Sequence, residues 1–126
     1  MMRTTIRQAG SARALLAGML AATALLAGCA RDPAPASTFV LLDGSKRTTA
    51  DLQGKVTLVN FWATSCTTCV AEMPKMVQTY EKYKAKGYDH LAVAMSYDPP
   101  AYVVNFAQTR KLPFGVAIDN TGAVAQ

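Results

Sequence analysis

The sequence has one histidine and three cysteines. That scarcity leaves no second cysteine pair and no Cys/His cluster at metal-ligand spacing, so a structural zinc module is excluded and no metal site is expected. Met73, Met76 and Met95 then read as core fillers rather than copper ligands. His90, beside a strand start, reads as structural. No basic stripe interleaved with aromatics is present, which excludes a nucleic-acid platform. No internal repeat is present either, which excludes a solenoid. The first 28 residues hold no acidic side chain.

What those first residues do hold is a targeting pattern. Arg3, Arg7 and Arg13 form a positive leader, and Ala14 to Ala27 is an apolar run rich in Ala and Leu. The run is too short to span a bilayer comfortably and ends at Leu26-Ala27-Gly28-Cys29, so 1–28 reads as a secretory signal peptide. The small residues before Cys29 resemble a bacterial lipobox, in which cleavage leaves that cysteine N-terminal and acylated. An ordinary cleaved signal with a chance cysteine is the alternative. The expected location is the bacterial cell envelope, periplasm-facing, with a lipid anchor on Cys29. In lipoproteins of this type an Asp after the cysteine often favours inner-membrane retention. Ala30 stands there, which leans to the outer membrane.

Removing residues 1–28 of 126 leaves 98, enough for one small domain. It also removes three of the thirteen basic residues and none of the eight acidic ones, so the net charge drops to +2. The high isoelectric point belongs largely to the leader. Residues 29–37 are small, polar and Pro-containing and read as a tether; the domain is expected over 38–126.

Within that domain one motif carries chemistry. Cys66-Thr67-Thr68-Cys69 follows the apolar run Val56 to Trp62 directly, and a helical pattern follows it. Two cysteines three residues apart at a helix start can close into a small disulfide ring and reopen. The unpaired N–H groups and positive dipole end stabilise a thiolate there. A metal half-site or an inert pair has the same spacing. In an oxidising compartment, though, a lone vicinal pair closes a loop too short to restrain much of the chain.

The elements around it alternate. Phe39 to Leu42 is a short strand followed by an Asp43-Gly44 turn, and Thr48 to Gly54 is a polar connection anchored by Leu52. Val56 to Trp62 is a buried strand. From Thr67 to Lys86, Val70, Met73, Val77, Tyr80 and Lys84 recur at helical spacing, with a kink expected at Pro74 and a stop at Gly87. Leu91 to Met95 is a second buried strand, Pro99-Pro100 opens a helix to about Arg110, and Phe114 to Ile118 is a third strand. The expected class is α/β with a mostly parallel sheet.

The run Val59 to Cys69, followed by Glu72-Met73-Pro74, resembles the periplasmic thioredoxin-like oxidoreductases of the TlpA/ResA type. The Asp43-Gly44 hairpin, the Leu52-Gln53-Gly54-Lys55 lead-in and the Leu112-Pro113-Phe114 strand entry share the likeness. The resemblance implies a thioredoxin-like fold with an N-terminal hairpin and an inserted helix–strand unit. It implies disulfide exchange with exported proteins, often apocytochromes c or copper-site proteins. A membrane electron donor of the thiol–disulfide type is implied, and no cofactor. Thr68 departs from the proline common before the second cysteine, and Ser65 from the aromatic common before the first; that dipeptide tunes thiolate stability. The family fold continues into a cis-proline loop, two antiparallel strands and a final helix. The sequence reaches Gln126 before any of them, so a C-terminally incomplete domain is expected, with Val56 to Phe61 as an open apolar edge.

In these terms Cys66 is the attacking nucleophile and Cys69 the resolving thiol. Glu72, three residues past Cys69, is placed to take its proton. The resemblance assigns Glu72 that task because Asn60 stands where cytoplasmic thioredoxins carry a buried Asp; a merely solvated glutamate would have the same sequence. Trp62 packs beneath the active-site turn and secondarily shapes the approach surface, and Pro74 is structural. Rival readings are a Cu(I)-handling protein of the same fold, which typically needs CxxxC and a distant histidine, a peroxide-reducing enzyme, and an inactive fragment.

Overall fold

The computed structural model describes residues 33–126. The predicted leader, Cys29 and the first part of the tether lie outside the described residues.

The chain starts with a hairpin. β1 (Thr38–Val40) pairs antiparallel with β2 (Lys46–Thr48), Phe39 opposite Arg47. The reversal is built by Asp43, whose carboxylate accepts from both the N–H and the hydroxyl of Ser45, and by Gly44 at φ +81°. A left-handed residue there favours glycine. Local pattern does not mark β2, since Lys46-Arg47-Thr48 carries no apolar alternation; it was expected only as the second arm of the hairpin that the family resemblance implies. It forms because Phe39 buries itself and brings its partner along. A 3-10 turn (Thr49–Leu52) follows, with Asp51 accepting from the Thr48 N–H and hydroxyl.

The main sheet then assembles from parallel units. β3 (Val56–Trp62) leads to α1 (Thr67–Tyr83), β4 (Tyr88–Ala94), α2 (Pro100–Thr109) and β5 (Gly115–Ile118). The strand order is β3-β4-β5, parallel throughout. β3 and β4 run in register from Val56↔Tyr88 to Trp62↔Ala94. The predicted helix to Lys86 is α-helical only to Tyr83; it tightens into a 3-10 turn over Lys84–Lys86 before Gly87 reverses the chain at φ +84°. Pro74 lies inside α1 without ending it.

Strand alternation divides the core. On one face Trp62, Ala92, Ala94 and Val116 meet Met73 of α1 and Val103 and Ala107 of α2, with Phe114 closing the cluster. On the other, Leu91, Val93 and Ala117 meet Phe39 of the hairpin. The hairpin is fastened by the Leu41–Ala117 bridge and by Leu42 N–H donating to Val116 O at 3.1 Å. β3 pairs only with β4 among the described residues, and Val56, Leu58 and Phe61 are exposed along it. Among the described residues, β3 is thus the apolar edge of the sheet.

β4 starts three residues earlier than its apolar run. Asp89 and His90 are the reason: both are buried, and both are partnered. Asp89 takes the Arg47 guanidinium at 2.6 Å and the His90 N–H at 2.8 Å. Burial pushes its carboxyl up, and those two donors outweigh the burial and hold it below the ordinary range. His90 stacks on Phe114 with centroids 4.0 Å apart, and its Nε2 donates to Asn60 Oδ1. Its Nδ1 has no partner. Burial pushes the pKa of the ring down, against a smaller opposing pull from Asp89.

The sign of the linkage follows. Below the ordinary histidine value of 6.5 the unfolded chain binds a proton that the folded chain resists. Stability should fall as pH drops from 6.5 toward the lowered folded value. Thermal melts between pH 7.5 and about 5.5 should show a declining midpoint for the wild type. His90→Phe, which keeps the stacking and leaves half-buried Asn60 reachable by water, should flatten that decline.

Candidate active site

β3 delivers the chain to the site. Trp62 ends the strand with its indole 1 % exposed and 5.1 Å from the Phe106 ring. So buried a ring packs the floor of the turn and offers no surface to an approaching chain; of the two roles predicted for Trp62, only packing fits. Ala63 is buried as well, and its carbonyl accepts the Cys66 N–H at 3.0 Å. That bond folds Ala63–Cys66 into a tight turn.

Cys66 then caps α1. Its backbone is extended, φ −85° and ψ 96°, while its carbonyl already accepts the Val70 N–H at 3.0 Å. Its Sγ accepts the Cys69 N–H at 3.3 Å, the place an oxygen cap usually fills. Thr68 Oγ1 lies 3.6 Å from the same sulfur. Cys66 and Cys69 are joined as a disulfide with Cα atoms 5.3 Å apart. Both are half-buried, but Cys69 packs against the core cluster of Trp62 and Met73 while Cys66 sits at the helix end. Cys66 is therefore the sulfur nearest the first-turn N–H groups and the positive end of the helix.

Glu72 is on the exposed side of α1, one turn beyond Cys69, with no hydrogen bond or ion pair among the described residues. It borders a shallow groove with Leu58, Met76 and Tyr88 at the open side of β3. Pro74 is exposed and lines an apolar groove of about 330 Å³ between α1 and α2, with Val70, Val77, Phe106 and Leu112. His90 is bonded to Asn60 in the core and is not a neighbour of the sulfurs in chain or register, standing four residues before the end of β4.

One residue near the pair was passed over in the sequence. Asp98, in the loop after β4, is 3 % exposed. Its two oxygens take the N–H and the hydroxyl of Thr64, each at 2.6 Å. The available signal was position: a carboxylate just past the carboxyl end of a buried parallel strand, where α/β folds gather their sites.

The fold and the capped cysteine pair define a thioredoxin-like protein. The chain belongs to the Redoxin family, whose model matches residues 30–126. It is 40 % identical over 91 residues to the thiol-disulfide oxidoreductase ResA of Bacillus thuringiensis subsp. konkukian, a match covering 71 % of this chain and 52 % of the relative. Among solved structures it is similar to a candidate thioredoxin of Neisseria meningitidis, with 47 % identity, a TM-score of 0.69 and coverage of 75 % of this chain and 63 % of that one. A thiol:disulfide interchange protein of Chlorobium tepidum gives 33 % identity and a TM-score of 0.64, over 71 % of this chain and 61 % of that one. The chain spans about half the length of the curated relatives it matches.

Proposed function

We propose that this chain is a thiol–disulfide oxidoreductase of the bacterial cell envelope, working in the reducing direction on exported proteins. The observation that carries the reading is Cys66 acting as the N-cap of α1 while closed in a ring with Cys69. A helix cap favours a thiolate, and a partner sulfur one turn away lets a mixed disulfide be resolved quickly. Relatives and structural neighbours named for the same chemistry support it.

The steps balance with the pair alone. The reduced Cys66 thiolate attacks one sulfur of a substrate disulfide, forming a mixed disulfide and releasing the other sulfur as a thiolate. Cys69 gives its proton to Glu72 and attacks Cys66 Sγ. The second substrate sulfur leaves, and the Cys66–Cys69 disulfide forms. Two electrons have passed to the substrate. A membrane donor of the thiol–disulfide type returns two electrons to the pair. Substrates are exported chains with paired cysteines, of the apocytochrome c or copper-site kind. The basic leader and Cys29 support secretion and lipid anchoring with the domain facing the periplasm.

Cys66→Ser should abolish reduction of a model disulfide such as insulin, whereas Cys69→Ser should accumulate mixed disulfides visible on non-reducing gels. Trapping by the Cys66 variant instead would reverse the two roles. Glu72→Gln should slow resolution most near neutral pH in stopped-flow traces, with stability changed by no more than about 0.5 kcal/mol, as for an exposed unpartnered side chain. A rate–pH profile identical to wild type would remove Glu72 from the mechanism. Palmitate labelling and membrane fractionation should both be lost in Cys29→Ser; a wild-type chain that stays soluble and unlabelled would exclude the anchor.

A further inference from the structure

We infer that Asp98 is the positioning residue of the redox pair, holding the backbone that carries Cys66 from the loop after β4. The inference rests on the proposed function only for its consequence; the geometry stands by itself. Thr64 is two residues before Cys66, and both of its donors end on the Asp98 carboxyl group at 2.6 Å. Asp98 has no cation within ion-pair distance among the described residues. Burying a carboxyl group costs free energy that an apolar side chain would not, and short hydrogen bonds offset it. Here the two side-chain bonds fall on one residue of one turn.

The neighbouring bonds give that clamp leverage. Met95 N–H donates to Trp62 O at 2.9 Å, and Asp98 N–H to Met95 O at 3.0 Å. The loop after β4 is thus fixed first to the end of β3 and then to Thr64. Only Ser65, exposed and without a side-chain partner among the described residues, separates the clamp from the sulfur-bearing residue. Cys66 Sγ has to meet the Cys69 N–H, and a turn free to drift by an ångström would lose that donor. Released from it, the thiolate is less stable. The reduced pair is then weaker relative to the disulfide.

A purely electrostatic role predicts the opposite sign. Removing a nearby negative charge would make the Cys66 thiolate easier to form, and losing the clamp makes it harder. The pH profile of iodoacetamide alkylation, read at Cys66 by peptide mass in the full reduced chain, separates the two. Asp98→Ala should move the midpoint up by about one unit and, at pH values below both midpoints, slow alkylation about tenfold. Above both midpoints, where the sulfur is thiolate in either chain, its equilibrium with glutathione should shift about tenfold toward the disulfide by the same arithmetic. Asp98→Asn can accept the Thr64 N–H and donate to its hydroxyl, so it should restore the wild-type midpoint despite losing the charge. Should Asp98→Ala fail to fold, Thr64→Val removes only the hydroxyl half and should shift the midpoint the same way, with Thr64→Ser restoring it. An unchanged or lowered midpoint in the folded Ala or Val variant overturns the inference. Because alkylation needs no protein substrate, variants that shift as described in a chain whose wild type reduces nothing would sink the proposed function and leave the clamp standing.

Discussion

The register of β3 against β4 is the constraint on which the rest of the molecule depends. Seven residues of each strand pair in parallel, and the pairing sets Trp62 beside Ala94. Both strands therefore end at the same level. The turn after β3 and the loop after β4 leave the sheet side by side, which is how Thr64 comes within reach of Asp98, 34 residues away. A slip of one residue would invert every side chain on β3, exposing Trp62 and burying Phe61 instead. Trp62 is the guard against that slip, since no other position could hide its ring against Phe106. Removing so large a buried ring costs about 3–5 kcal/mol, a large part of a small domain's stability.

The polar groups inside this core each do a separate mechanical task. Asp89 ties the hairpin to the start of β4 through Arg47, with Lys55 as a more distant, 4.0 Å partner. His90 ties the same strand to β3 through Asn60 and fills the space against Phe114. Asp98 ties the far end to the redox turn. Each of these three groups has a partner on a different segment, so desolvation is offset at the tie, while His90 Nδ1 stays buried without a partner. The sites act along one strand and the loop that follows it, which makes β4 the spine of the description.

Those pairings also explain what could be read from the sequence. Val56 to Trp62, the helix after Cys69 and Gly115 to Ile118 were legible because apolar period and punctuation agree there. The redox pair was legible because its spacing, preceding strand and following helix coincide. Asp89 and His90 hid the true start of β4, since a polar residue belongs in a buried strand only when its partner is known, and Arg47 and Asn60 are 42 and 30 residues away. β2 has no local pattern of its own and was legible only through the hairpin that the resemblance implies; its three polar residues are recruited by Phe39. Asp98 sat in plain view before two prolines, but a buried carboxyl group cannot be told from a solvated one until the fold brings Thr64 to it. Local pattern gave the elements, and long-range polar pairing, which has no local pattern, set their ends and their ties.

The two sides of β3 differ in a way that bears on the site. Its paired side is the one that β4 fixes, and Val56, Leu58 and Phe61 are 74 %, 42 % and 41 % exposed along the strand that has no second partner among the described residues. An apolar edge of this kind is a template for pairing and usually a liability. Yet the supports of the redox turn do not come from that side. The Trp62 carbonyl is held by Met95, Thr64 by Asp98, and the Trp62 ring by Phe106 of α2. All three belong to β4's loop and the helix after it. The geometry that caps α1 with Cys66 is therefore fixed from the paired side of β3, and what meets its open side can change how the strand is covered without being what places the sulfur.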